Sequence, residues 1–311
     1  MSNSIVIRLK NELQTTAGLM GLVDILKQVA AAQFYALDEK RRSSGWTTGD
    51  RPSKGRTTEP AQEESGERML DNFFHLIPPE QYRHPFLDKP SPPLSLVIVT
   101  SDEGFLGGLN AAVIQGALSA QGDQQAELIV LGERGKMYLD DLKKPCTPFP
   151  GLGDQITSQE VERVRDYIVG QYLHRKCGRV VVFYPRLVSF THQEVDSFQL
   201  LPYTPPSEGR DPASLSDPAQ TILEPSAYSI IEYVVKLWLS RRIQEVFWQS
   251  RLSEVAARAM HLEASGVELG QQKKRATLRY FRNKHEVTDT SIRETYAGMV
   301  ARKRRIVRSH R

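Results

Sequence analysis

Apolar residues open the chain at helical spacing. Leu9, Leu13, Met20, Val23, Ala30, Phe34 and Leu37 fall three, four or seven positions apart, which is one face of a long helix over residues 1–40. A second stripe, Leu19, Leu22, Leu26 and Val29, lies beside the first and widens the apolar face enough to meet more than one neighbour. From 41 to 68 the pattern dissolves into Gly, Ser, Thr and charge, the composition of a linker. "MLDNFFHLI" predicts one short helix, and "PPEQYRHPFLDKPSPP" is a Pro-broken approach to the next element, so 41–94 reads as a polar linker with a short helix.

The middle of the chain alternates. "LSLVIVTS", "AELIVLG", "RVVVFYPRLV" and "HQEVDSFQLLPY" predict strands. "NAAVIQGALSA", "ERGKMYLDDL" and "TSQEVERVRDYIVGQYLHRK" predict helices, the last capped by Thr157 or Ser158. Strand alternating with helix over 95–203 implies an α/β domain of Rossmann-like kind, with a mostly parallel, helix-covered sheet. The final two strands are close in sequence and predict an antiparallel edge.

Residues 204–224 are a second linker, rich in Pro and Ser. No Pro follows Ser226, and apolar residues recur at Ile230, Ile231, Val234, Trp238, Ile243, Val246, Phe247, Leu252, Val255, Ala259 and Leu262. They continue more sparsely at Val267, Leu278, Phe281, Ile292, Tyr296 and Met299. A helix of ~80 residues over 225–311 is ~120 Å long, more than a compact domain can bury. It must pair with another long helix or lie inside a partner, and the N-terminal helix is the available mate. The expected architecture is an α/β domain plus an antiparallel coiled coil of the two terminal helices.

Charge sharpens this reading at one end only. The net charge is +4, but the last ten residues, "RKRRIVRSHR", hold six Arg or Lys, so the body is not a general polyanion binder. The tail alone keeps open a nucleic-acid binder as an alternative class. Cys146 and Cys177 lack metal-ligand spacing and read as reduced thiols of an intracellular protein. No apolar run reaches the ~18 residues of a membrane span, and no secretory signal is expected at the start.

The conspicuous motif is the loop "SDEGFLGGLN", residues 101–110, between a strand and a helix. That setting resembles a phosphate loop, but the spacing fails. A dinucleotide fold wants G-x-G-x-x-G with a later acidic residue, and a P-loop wants Lys and Ser or Thr directly after the last Gly. Here Gly104, Gly107 and Gly108 are followed by "LNAAV", with no Lys before Lys136. The glycines are better read as shaping a tight turn, held by Asp102 and Asn110 through side-chain bonds to backbone. A nucleotide-binding module using the Gly104–Gly108 loop is the alternative. The seven His are scattered, and His192, Glu194 and Asp196 alternate as the wet face of a strand does. No catalytic residue, cofactor site or metal site is expected.

Three stretches together carry a resemblance. "SDEGFLGGLN" is similar to the Ser-Asp-Arg-Gly-Leu-Cys-Gly-Gly-Leu-Asn signature of the gamma subunit of rotary F-type ATP synthases, through Ser101, Asp102, Gly104, Gly107, Gly108 and Asn110. Glu103 stands in place of Arg, and Leu106 in place of Cys. "RLSEVAARAMHLEAS" is similar to that family's Ser-Glu-x-x-Ala-Arg run through Ser253, Glu254, Ala257 and Arg258. "QVAAAQ", residues 28–33, resembles its Met-Val-Ala-Ala-Ser-Lys helix, and the order of elements agrees over nearly the whole chain.

The resemblance implies a central rotor without an active site or cofactor of its own. Its partners would be the alpha and beta subunits of the catalytic ring, the epsilon subunit and the membrane c-ring. Neither nucleic acid nor direct membrane insertion is implied, and the place would be the cytoplasmic side of a bacterial inner membrane. Ion flow would turn the rotor, and its asymmetry would drive the catalytic sites.

Departures bear on the contacts. "AGLMGLVD" stands where the family carries a basic run, with Asp24 at a usually basic place. "HEVTDTSIRE" replaces the family's Arg-Gln-Ala-x-Ile-Thr-x-Glu-Leu. Ungapped placement makes His285, Glu286, Asp289, Ile292 and Glu294 the candidate contacts with the ring, with Gly298 still fitting. Such divergence reads as a variant from a second, alternate complex in a bacterium.

Overall fold

The computed structural model describes residues 2–43, 84–87, 91–153, 155–203 and 226–309, with side chains from 4 to 300 among them. The short helix expected at "MLDNFFHLI", most of the 41–94 linker and all of the 204–224 linker lie outside the described residues. Two compact units are present, one of residues 30–258 and one of 1–29 with 259–311. Helices α1 (Ser2–Ser43) and α5 (Ala227–Ser309) each contribute to both.

The larger unit is built on a five-stranded sheet. Its strands are β1 (Leu94–Val99), β2 (Ala126–Leu131), β3 (Thr147–Phe149), β4 (Arg179–Ser189) and β5 (His192–Leu201). Their spatial order is β3-β2-β1-β4-β5, with β1 to β4 parallel and β5 antiparallel on the edge. The antiparallel edge agrees with the sequence reading. Strand β3 has no counterpart in it, because three residues split by Pro148 give no apolar period.

Every residue of β1 is buried, as a central strand covered on both faces requires. The period of two divides its side chains. Leu96 and Ile98 join Val113, Ile114 and Ala117 of helix α2 (Leu109–Gln121) and Leu139 of helix α3 (Glu133–Asp141). Val97 and Val99 face the other way, to Val161, Val164 and Ile168 of helix α4 (Ser158–Leu173). Ile231, Val235, Leu239, Ile243, Val246 and Phe247 of α5 complete that second layer. The start of the long C-terminal helix is thus part of the domain core. Thr157 caps α4 through a capping box. Its Oγ1 accepts the Glu160 N–H at 3.3 Å, and Glu160 Oε2 accepts the Thr157 N–H at 2.8 Å.

Between residues 246 and 259, α5 is buried on all sides. Phe34 of α1 packs edge-on to Phe190 at the β4–β5 turn, with ring centroids 4.9 Å apart. The predicted α1 face is inward-facing here, with Ala30, Phe34 and Leu37 at most 8% exposed.

In the smaller unit, α1 and α5 pair antiparallel. Lys27 Nζ meets Glu263 Oε2 at 2.8 Å, Val23 lies over Gly266 and Met20 over Gly270, one series falling as the other rises. The Lys27 ammonium is held above its ordinary range by the bond to Glu263. Leu262 and Ala276 are buried in this seam. Among the described residues the second stripe of α1 is not covered: Leu19, Leu22, Leu26 and Val29 are all exposed. Helix α5 continues through the basic stretch to Ser309.

Candidate functional site

The glycine loop leaves the C-terminal end of β1. In this strand order the chain runs to β2 on one side of β1 and to β4 on the other, so the loop sits at a topological switch point. That is where open α/β sheets ordinarily take a ligand. Here the crevice is filled by the chain itself. The cavity lined by Thr100, Ser101, Leu106, Asn110, Pro185, Ser250 and Glu254 has a volume of about 10 Å³. That is at most the space of one water and excludes a phosphate.

The loop's bonds differ in detail from the expected turn. Asp102 does not close its own turn. Its Oδ1 accepts the N–H of Glu133, at the start of α3, at 2.8 Å and that of Gly151 at 3.1 Å. A carboxylate at a helix N-terminus satisfies an otherwise unpaired donor and the helix dipole together. Asn110 donates to Ser101 Oγ at 2.8 Å, a side chain rather than backbone, and Ser101 Oγ donates to Glu103 O at 2.9 Å. Gly107 has φ 60 and so uses the glycine's freedom. Gly108, at φ −93, does not need it. Phe105 also takes a left-handed φ of 63 and is 60% exposed, a strained place for an aromatic residue.

The two signature stretches meet. Arg258 Nη2 lies 2.8 Å from Glu103 Oε2 and 2.6 Å from Glu254 Oε1, and its Nε donates to the Gly104 carbonyl at 3.4 Å. Arg251 Nη1 reaches Glu254 Oε2 at 2.8 Å. Arg251, Glu254 and Arg258 are each under 9% exposed, while Glu103 is largely in solvent. Burial pushes the Glu254 carboxyl above its ordinary range, and the two guanidiniums pull it back. Ser253 and Ala257 are buried small residues on the same turn of α5. The cluster is a clasp between loop and helix, open to solvent only on the Glu103 side.

Some residues of this clasp carry no sequence signal. Arg251 opens the quoted stretch but lies outside its matched Ser-Glu-x-x-Ala-Arg positions. Gly132 supports the loop from the neighbouring strand end, and Arg134 N–H donates to Ser101 O at 3.0 Å. Both are visible only once β1 and β2 are known to be neighbours.

The alternating set on β5 is a surface charge network. Glu194 pairs with His192 at 2.9 Å and Arg186 at 3.5 Å, and the His192 bond holds its carboxyl below the ordinary range. Asp196 Oδ2 accepts from the Tyr184 hydroxyl at 3.3 Å and sits 3.3 Å from Arg186 Nε. Burial, then the Asp196 charge, pushes the Tyr184 phenol from 10.0 up to about 12. The unfolded phenol ionises from about pH 10 while the folded one stays neutral, so this stabilisation is intact below pH 10 and lost between 10 and 12. Alkaline titration of stability is therefore expected to be flatter in Tyr184→Phe. The difference from wild type reaches ~2–3 kcal/mol near pH 12, read by urea unfolding at stepped pH.

The remaining candidates lie on α5 in the smaller unit. His285, Glu286, Asp289, Ile292 and Glu294 are all exposed, Ile292 at 61%. Among the described residues, nothing converges on them. Among the described residues, no helix is long and apolar enough to cross a membrane, and no group of metal-ligating side chains is present.

Known proteins bear on this arrangement. The profile of the ATP-synt family, described as ATP synthase, matches residues 53–301. The ATP synthase gamma chain of Nitrosomonas eutropha is 28% identical over 250 residues, covering 76% of this chain and 84% of the relative. That of Nitrosospira multiformis is 26% identical over 308 residues, covering 94% and 98%. Among solved structures, a chain of the Euglena gracilis mitochondrial ATP synthase (OSCP/F1/c-ring, rotational state 3) superposes with a TM-score of 0.68. It is 14% identical and is covered to 95%, with 96% of this chain. A chain of the Tetrahymena thermophila central stalk and c-ring superposes with a TM-score of 0.56 at 17% identity, covering 78% of this chain and 99% of that one. At these identities the superpositions establish the fold.

Proposed function

This chain belongs to the ATP synthase family, in which the relatives it matches are gamma chains, and we propose that it is the central-stalk rotor of such a machine. Its part is to couple ion movement through a membrane c-ring to ATP synthesis or hydrolysis in a ring of alpha and beta subunits. It supplies no catalytic residue, and it works peripherally to the bacterial membrane, on the cytoplasmic side, with an epsilon subunit at its base. The divergent stretches fit a rotor of a second, alternate complex.

The observation that carries the reading is the closed crevice at the switch point combined with the antiparallel pair of α1 and α5. The place where the fold could hold a ligand is plugged by the helix. The helix pair meanwhile leaves Leu19, Leu22, Leu278, Phe281, Ile292 and Tyr296 exposed, an apolar outer face that wants a surrounding partner. His285, Glu286, Asp289, Ile292 and Glu294 would meet the catalytic ring, retuned from the family's usual set. The buried clasp would fix the base to the helix and so pass torque between them.

Affinity-tagged chain, expressed from its own genome, is expected to co-purify with alpha-, beta- and epsilon-like subunits. Calorimetry of the isolated chain with ATP and with NAD is expected to show no binding. Recovery of the chain alone, or micromolar binding of either nucleotide, would move the reading to a nucleotide-binding module.

A further inference from the structure

A serine inside a helix can spend its hydroxyl on the helix's own backbone. On α5, Ser240 Oγ donates to the Lys236 carbonyl at 3.0 Å and Ser265 Oγ to the His261 carbonyl at 2.9 Å, each one turn back. Ser250 lies between them on the same helix and differs. It is 4% exposed, and its hydroxyl has no hydrogen-bond partner among the described residues. Such a hydroxyl has left water without gaining a replacement, and native interiors rarely keep one in that condition.

Ser250 borders the cavity of about 10 Å³ between α5 and the loop after β1. Glu254, one helical turn on, borders it too, and from the loop side come Thr100, Ser101 and Asn110. Asn110 spends its Nδ2 on Ser101 Oγ, which leaves its amide oxygen Oδ1 as an acceptor. Thr100 Oγ1 donates to the Leu131 carbonyl and keeps its lone pairs. Hydrogen-bonding groups therefore stand on both the helix side and the loop side of one small space.

We infer that this cavity is a binding site for a single water molecule, which bridges the Ser250 hydroxyl to the loop and completes the inner side of the clasp. The volume is that of one probe sphere, the least that holds a water, and the walls offer the roughly two to four polar partners that a buried water takes. A cavity with apolar walls alone would stay dry; this one has polar groups on two sides. A small cation suits the site poorly. Its one carboxylate, Glu254, already holds the two guanidiniums of Arg251 and Arg258, so the local charge is positive. A halide is wider than water and would meet that same carboxylate. All the residues named belong to the larger unit, so the site stands whether or not the rotor reading does.

The test compares Ser250→Ala with Ser265→Ala in the purified full chain. Both put alanine, the better helix former, in place of serine and so carry the same small propensity gain. Loss of the hydroxyl that holds a bridging water is expected to lower Tm by about 2–4 °C relative to the Ser265→Ala control, against that gain. Removal of a hydroxyl that truly lacks a partner would instead relieve an unsatisfied group, so a Tm at or above the control overturns the inference. A crystal structure of the wild-type chain, at a resolution that shows ordered waters, is expected to place one water ~2.5–3.2 Å from Ser250 Oγ and within the same reach of Thr100, Ser101 or Asn110. An empty cavity, or a Ser250 hydroxyl turned onto the Val246 carbonyl, overturns it as well. So does an anomalous peak in the cavity after a bromide soak, which would make the site one for an anion.

Discussion

Glu254→Gln is expected to lower the unfolding free energy by about 3–5 kcal/mol, the cost of removing one partner from a buried ion pair. The substitution keeps the shape and removes the charge. Arg251 and Arg258, both under 9% exposed, then lose the one buried carboxylate they share, and Arg258 keeps the solvent-facing Glu103 and the Gly104 carbonyl. Urea unfolding of the purified chain, followed by tryptophan fluorescence, reads the effect, since Trp248 lies one turn from the clasp. A companion triple variant, R251M with E254L and R258M, separates charge from packing. Apolar replacement of a whole buried network is often neutral or better, so it should lose far less than the single change. A loss below about 1 kcal/mol in Glu254→Gln would mean that water reaches the cluster and screens it.

Gly132→Ala is expected to cost about 2–4 kcal/mol, from backbone strain and overpacking together. Gly132 has φ 100, which side-chain-bearing residues rarely adopt, and an added Cβ would stand 2.7 Å from the Thr100 carbonyl carbon and oxygen. Those are backbone atoms held by Thr100 N–H to Leu131 O at 2.8 Å and by Arg134 N–H to Ser101 O at 3.0 Å. Neither neighbour can yield without opening the β1–β2 ends under the signature loop. Gly108→Ala is the control. It lies in the sequence signature, yet its φ is −93 and no atom would come within 4 Å of its Cβ. Thermal unfolding by circular dichroism should show a fall of several degrees for the first and little change for the second. Equal behaviour of the two would refute the assignment of strain to Gly132.

The contrast between Gly132 and Gly108 shows what a sequence can disclose. Gly108 stands in a recognisable string, whereas Gly132 is an isolated Gly after a strand, and its need for φ above zero arises from a neighbour about thirty residues earlier. The same holds for Asp102. Its position in the motif is legible, but its partners, Glu133 and Gly151, are fixed by the order of strands in the sheet, which periodicity does not encode. The elements themselves were legible because their patterns are long. β1 is wholly apolar, β5 alternates, and α5 runs without Pro. Strand β3 was not, being three residues long. The face of α1 through Ala30, Phe34 and Leu37 could be read from spacing alone. What, if anything, covers Leu19 and Leu22 could not, because both are exposed among the described residues.

The clasp of Glu103 on Arg258 also constrains how this protein can change over generations. The loop after β1 and the buried turn of α5 lie about 150 residues apart in the gene, yet they share one ion pair and one carbonyl contact. The family signature carries Arg at the position of Glu103 and keeps the Arg at that of Arg258, so a reversal of charge on the loop needs no answering change in the helix. The Gly104 carbonyl accepts from the guanidinium whatever side chain stands at 103, so the loop can drift in charge while the helix Arg stays fixed.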